Sequence, residues 1–242
     1  RGIAMKIFSY GYSDTGGRSL NEDTYIIYQD KSGLCAAVAD GLGGHGRGKD
    51  ASSIAAEALR RCYTGKSLPT QESILNAMQR ANRDILSYRE NTYQMKTTAV
   101  CLYTFSGKAV WAHIGDSRLY HFYNFSLVDY TLDHSVSQLA VELGEIKRRD
   151  IQGHSERNRL LRVIGDDQIS PDFGYTVLHE GFHAFLLCSD GLWEYLSDDE
   201  ILMDLHKSAS PKDWIENLRY RLCMRADKDN DNNSAAAIFL MI

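Results

Sequence analysis

A layered α+β sandwich is the fold class this sequence predicts, and three observations predict it. Ten short runs rich in apolar, β-branched or aromatic residues come in series. Two amphipathic helical stripes fall early in the chain and two more fall late. Several strand runs are joined by a few residues only, too few for a crossover helix. Such an order suits antiparallel sheets covered by helices better than an alternating βαβ pattern does.

In chain order, strands are expected near 5–12, 25–29 and 34–39. Ile54, Ala58, Leu59 and Cys62 then mark one helical stripe, and Ile74, Ala77, Met78, Ala81, Ile85 and Tyr88 a second at i, i+3, i+4 spacing. Runs at 98–105 and 108–114 flank Ser106-Gly107, a hairpin signal, and runs at 118–124 and 126–130 follow. Residues 136–165 break the pattern: a polar helical stretch (Val136, Leu139, Ala140, Leu143) leads into a loop with no strand periodicity, so they read as an insertion over the site. Strands at 173–178 and 182–188 come next. Ser197 with Glu200 has the form of a capping box opening a helix over 198–207. Ser210, Pro211 and Asp213 supply an N-cap, an N1 proline and an acidic first turn for a helix over 211–224, with Trp214, Ile215, Leu218 and Leu222 as its buried face. A strand at 234–242 closes the series.

There is no repeat, low-complexity tract or Pro-rich linker, so one domain is expected over 1–242. A net charge of −5 argues against a nucleic-acid binder, which needs a clustered basic face. No apolar run approaches the ~18 residues of a membrane span, and the first residues lack the order of a secretory signal; the expectation is a cytoplasmic monomer with no membrane partner. The five cysteines are odd in number and form no CxxC pair, which fits buried free thiols.

Five acidic signatures carry the chemistry: RSLNED at 18–23, VADGLGGHGRG at 38–48, GDSRLY at 115–120, SDGLW at 189–193 and DNNS at 231–234. Carboxylates beside small residues at the ends of apolar strands, converging in space, make an oxygen-ligand site for hard divalent cations, which points to metal-assisted hydrolysis. Strand 34–39 delivers Asp40, and Gly41, Gly43 and Gly44 suit a tight turn where backbone approaches a ligand; Asp40 bridging two metals, with the Gly41 carbonyl as a further ligand, competes with Asp40 as a helix cap. Strand 182–188 ends likewise at Asp190-Gly191. Asp116 is a third candidate ligand, against an Asx-type turn in which Arg118 pairs with a neighbour. The stretch DKDNDNNS lacks the sixth-position Gly and twelfth-position Glu of an EF-hand loop and keeps one candidate, Asp231. Arg18 four residues before Glu22 is either a phosphate clamp beside a metal-water ligand or a surface ion pair. His45 is a candidate proton donor to a leaving alkoxide, against a solvated loop histidine. His134, His154 and His183 have no HxH or HExxH spacing for zinc.

Assembled in order, these signatures, together with TTAV at 97–100, LDHS at 132–135, ERNRLLRVIG at 156–165 and LLCSDGLWEYLSDDEI at 186–201, resemble the metal-dependent protein serine/threonine phosphatases of the protein phosphatase 2C family, in their compact bacterial form. The resemblance implies a four-layer αββα sandwich, two antiparallel sheets flanked by helix pairs, with 136–165 as a flap near the substrate. It implies that Asp40 bridges two core Mn²⁺ or Mg²⁺ ions, that Asp190 and Asp231 complete one and the Gly41 carbonyl serves the other, and that Glu22 holds metal-bound water. Arg18 would bind phosphate, and Asp116 with Asp190 would hold a third, looser ion. A water or hydroxide shared by the core ions would attack phosphorus in line with no covalent phosphoenzyme. Phosphoproteins made by a serine/threonine kinase would be the substrates. The sequence departs from the animal pattern by Leu42 where those members place their general-acid histidine, and an Asp229-Asn230 pair offers a second register at the last motif; Asp231 is chosen because only it leads directly into AAAIFL. The rivals are a catalytically silent phosphatase-like binding domain and a phosphatase confined to small molecules or to one regulatory partner.

Overall fold

The computed structural model describes residues 5–43, 47–88 and 95–242. Ten strands form two five-stranded antiparallel sheets. The first has the order β1 (Lys6–Asp14), β12 (Asn233–Met241), β11 (Phe182–Cys188), β8 (Arg118–Tyr123), β9 (Ser126–Tyr130). The second runs β10 (Asp172–Val177), β7 (Lys108–Ile114), β6 (Ala99–Phe105), β3 (Gly33–Ala39), β2 (Thr24–Gln29). Helices α1 (Arg47–Arg60) and α2 (Gln71–Ser87) pack on the second sheet, and α5 (Asp198–His206) and α6 (Pro211–Arg225) on the first. The architecture is αββα.

The central strands are apolar along their whole length because both of their faces are covered. In β3, Cys35, Ala37 and Ala39 face α1 and α2, whereas Leu34, Ala36 and Val38 face the other sheet. In β12, Ala235, Ala237 and Phe239 face α5 and α6, and Ala236, Ile238 and Leu240 point between the sheets. The period-2 geometry of a strand thus divides one apolar run between two cores. Cys35, Cys101 and Cys188 are buried free thiols, Cys62 is half-buried, and Cys223 lies exposed on α6, against the expectation of burial.

The local signals act where they stand in the chain. Ser106 and Gly107 both have positive φ (49° and 73°), the turn whose twist matches a two-residue hairpin, here joining β6 to β7. The capping box at Ser197 and Glu200 is formed, and the Ser210 side chain accepts the Asp213 N–H at the start of α6. Two short elements carried no signal: a two-residue ribbon of β4 (Gly41–Leu42) with β5 (Lys96–Thr97), and the one-turn helix α4 (Asp190–Trp193). Residues 136–165 fold as α3 (Val136–Glu142) and a 3₁₀ helix (Arg148–Gly153), then an irregular run whose end is stitched to β5 by paired Thr97 and Ile164 backbone hydrogen bonds.

Candidate metal centre

The ends of β3, β7 and β11 and the chain entering β2 and β12 open on one cavity of about 380 Å³, lined among others by Arg18, Glu22, Asp40, Gly41, Asp116, Asp190 and Asp231. Every candidate site residue from the sequence meets there except His45, which lies outside the described residues.

Each ligand candidate is fixed through its backbone. The Asp40 N–H donates to Thr98 Oγ1 (3.1 Å), and the Asp40 carbonyl accepts from the Thr98 N–H (2.9 Å) and Thr97 Oγ1 (2.8 Å). Gly41 sits in the short ribbon, not in a tight turn, and it must be glycine for a different reason: a Cβ there would lie 2.1 Å from the Gly48 carbonyl oxygen. Gly48 in turn clears the Gly41 carbonyl, and its N–H donates to Glu22 Oε1 (3.0 Å), so α1 approaches the site backbone to backbone. Asp190 opens α4 behind Ser189, and Gly191 packs against the Asn232 carbonyl where a Cβ would be 2.0 Å away. That contact brings the Asp190 and Asp231 segments together.

Asp116 is held from behind. Its carbonyl accepts from Trp193 Nε1 (2.9 Å); the Trp193 ring lies under the Arg118 guanidinium at 3.5 Å, and Arg118 makes a buried bidentate pair with Asp133 (2.8 and 2.6 Å). The pairing of Arg118 leaves the neighbouring Asp116 carboxylate for the cavity. Its Oδ1 is buried with no hydrogen-bond partner among the described residues. Arg18 and Glu22 do not pair with each other: Arg18 grips Asp231 through Nε and Nη2 (3.1 and 3.0 Å), in a pair half open to solvent.

The electrostatics test whether these residues suit cations. Desolvation pushes the Asp40 carboxyl well above the usual carboxylate range, and Asp23, Asp190, Asp116 and Asp231 push it further by repulsion. Asp116 is driven up by burial and then by Asp190. Asp190 is pushed up to about 7 by burial and by Asp231. Carboxylates that oppose one another's ionisation, with an orphaned oxygen among them, form a hard oxygen donor set, and divalent cations fit it.

Asp23 was missed as a site residue. It is fully buried against Asp40, its Oδ2 accepts from Ser189 Oγ (2.7 Å), its Oδ1 has no hydrogen-bond partner among the described residues, and burial raises its carboxyl to about 6. The adjacent acids Glu22-Asp23 just before a strand were the available signal: at period 2 one faces the cavity and the other the interior.

A second cluster, His113, His134 and Asp172, has ligand-type atoms within 4.8 Å of one another. Its hydrogen bonds argue against a metal. His134 Nδ1 accepts the Gly115 N–H (3.2 Å), so the ring proton sits on Nε2, which faces Asp172 (3.2 Å), while His113 Nε2 donates to the Leu132 carbonyl (2.7 Å). Burial holds His134 neutral, lowering it to about 4. The cluster ties the 131–134 loop to β7 and β10.

A family model described as Protein phosphatase 2C matches residues 10–221. The Serine/threonine phosphatase stp of Listeria monocytogenes serotype 4b is 32% identical over 194 residues, covering 76% of this chain and 77% of that protein. Among solved structures, the Mycobacterium tuberculosis serine/threonine phosphatase PstP/Ppp superposes with a TM-score of 0.84 at 27% identity, over 98% of this chain and 99% of that one. The catalytic domain of PstP in complex with two manganese ions gives a TM-score of 0.83 at 25% identity, over 98% of this chain and 100% of that one.

Proposed function

The chain belongs to the protein phosphatase 2C family, and from that premise we propose that the cavity at the head of the sandwich is its catalytic centre, with a role for each acid around it. The protein is a metal-dependent serine/threonine protein phosphatase that uses Mn²⁺ or Mg²⁺ and acts on phosphoproteins. The observation that carries the assignment of roles is the convergence of Glu22, Asp40, Asp116, Asp190 and Asp231, from five separate segments, on one cavity.

Asp40 would hold both core ions, with Asp190 and Asp231 completing one and the Gly41 carbonyl serving the other, and Glu22 would hold metal-bound water. Asp116 with Asp190 would take a third. Bound there, the ions supply a Lewis acid and an activated water for direct attack on phosphorus. Arg18 would clamp the phosphoryl oxygens bidentately. Its pair with Asp231 is half exposed and of a kind worth only about 0–1 kcal/mol, so it exchanges readily for a phosphate. Asp23, beneath Asp40 and fixed by Ser189, would hold the Asp40 carboxylate in place. His45 is proposed as the proton donor to the departing Ser or Thr oxygen.

We read 1–242 as a single domain with 136–165 as its flap, acting as a cytoplasmic monomer on the products of a serine/threonine kinase. Among the described residues no helix is long and apolar enough to cross a membrane. The test is hydrolysis of a phosphothreonine peptide, which should require added Mn²⁺, stop with EDTA and return with excess metal. Turnover that survived EDTA would exclude the reading.

A further inference from the structure

Resting on the phosphatase reading, we propose that Leu20 and Leu160 select substrates in which an aliphatic side chain directly neighbours the phosphorylated Ser or Thr. Five carboxylates line the cavity, yet Leu20, Leu42 and Leu160 also line it. Leu20 is 54% exposed, and Leu42 and Leu160 are half-buried. With ions on these carboxylates and Arg18 taking the phosphoryl group, the residues beside the phosphorylated one would meet the leucines that share the lining.

The leucines are held in place before any substrate arrives. The Leu20 carbonyl accepts from Asn232 Nδ2 (2.9 Å), the same side chain whose oxygen accepts the Glu22 N–H (2.8 Å). Leu160 pairs with Ser135 in an isolated bridge, and the next residue's N–H donates to the His134 carbonyl (2.7 Å). Backbone fixed on both sides lowers the ordering cost of binding. An aliphatic neighbour of the phosphoresidue would remove apolar surface of Leu20 from water. An acidic neighbour would gain nothing from the leucines and would lose hydration against them.

The experiment uses phosphothreonine peptides that differ only in the flanking residue, Leu, Gly or Glu, each assayed with Mn²⁺. The wild-type protein should show kcat/KM about tenfold higher for the Leu-flanked than for the Gly-flanked peptide, expressed mainly in KM. Leu20→Ser and Leu160→Ser should each shrink that ratio roughly threefold, and the double variant should bring it near one. Leu20→Lys should instead raise kcat/KM on the Glu-flanked peptide above its wild-type value, a gain that a misfolded protein cannot give. A wild-type ratio within twofold of one, a ratio kept in the double variant, or no gain with Leu20→Lys would overturn the proposal. Failure to hydrolyse any of the peptides, with Mn²⁺ present, would overturn the phosphatase reading itself and the leucine assignment with it.

Discussion

The cavity and the α5–α6 face treat the same kind of residue in opposite ways. At the cavity, Asp40, Asp116 and Asp190 are driven up by burial and by neighbouring acids, and an Asp116 oxygen has no partner among the described residues. Between α5 and α6, Arg221 donates to both oxygens of Asp204 (2.5 and 2.9 Å) and to Glu200 (3.1 Å), and Arg225 donates to both oxygens of Glu200 (2.8 and 2.5 Å). Its hydrogen bonds, those from Arg225 first, lower the Glu200 carboxyl to about 2. Acids that hold the fold together are matched with guanidinium groups inside the chain. Of the acids meant for a ligand, Asp231 alone meets a guanidinium among the described residues, Arg18 in a half-exposed pair, and the fold bears the repulsion of the rest.

The largest effect expected from this contrast is on activity. Asp40→Asn should lower kcat/KM on a phosphothreonine peptide by roughly 1000-fold and abolish calorimetric Mn²⁺ binding, yet in EDTA its urea midpoint should not fall below that of the parent, because one buried negative charge is gone. A metal-free variant clearly less stable than the parent would break the contrast. Next comes Arg221→Ala, which strands Asp204, 3% exposed, without its main cation. It should lose about 3 kcal/mol in urea unfolding and leave peptide turnover within about twofold of wild type.

A smaller effect is linkage to metal. Mn²⁺ at 100 times its dissociation constant should raise the unfolding free energy of the wild-type protein by about 2.7 kcal/mol, and that of Asp40→Asn by nothing measurable. The smallest is a pH effect on the matched side. Glu200 has a folded pKa of about 2 against the 4.5 of a free glutamate side chain, so its contribution is fully present above about 4.5 and is lost as pH falls through that window towards 2. Glu200→Gln should flatten the stability profile between those limits in urea melts; an unchanged slope would mean that the arginines contribute little there.

How far each feature could be read depended on how local its cause is. The strands of β3, β11 and β12 were legible as apolar runs bounded by Asp-Gly or by polar residues, and the α5 and α6 starts as caps, since both signals lie within a few residues. The β4–β5 ribbon was not, because two residues joined to a strand more than fifty positions away leave no periodicity. Asp231 was singled out for its place before β12, and the fold brings it to the cavity, but its grip on Arg18 was invisible: the sequence offered Arg18 either a phosphate or an ion pair with Glu22 at helical spacing, and no helix runs there.

By itself the sequence determined the order of strands and helices, the two-sided burial of the central strands and the carboxylates at their ends, because periodicity, capping and turn chemistry act over a few neighbouring residues. The tertiary structure alone decided which acids share a cavity, which are matched by arginine, and which leucines stand at the mouth. Those outcomes depend on contacts such as Gly41 on Gly48 and Gly191 on Asn232. Electrostatic repulsion, desolvation and backbone approach are set by distance in space, and only folding brings the segments close enough for them to act.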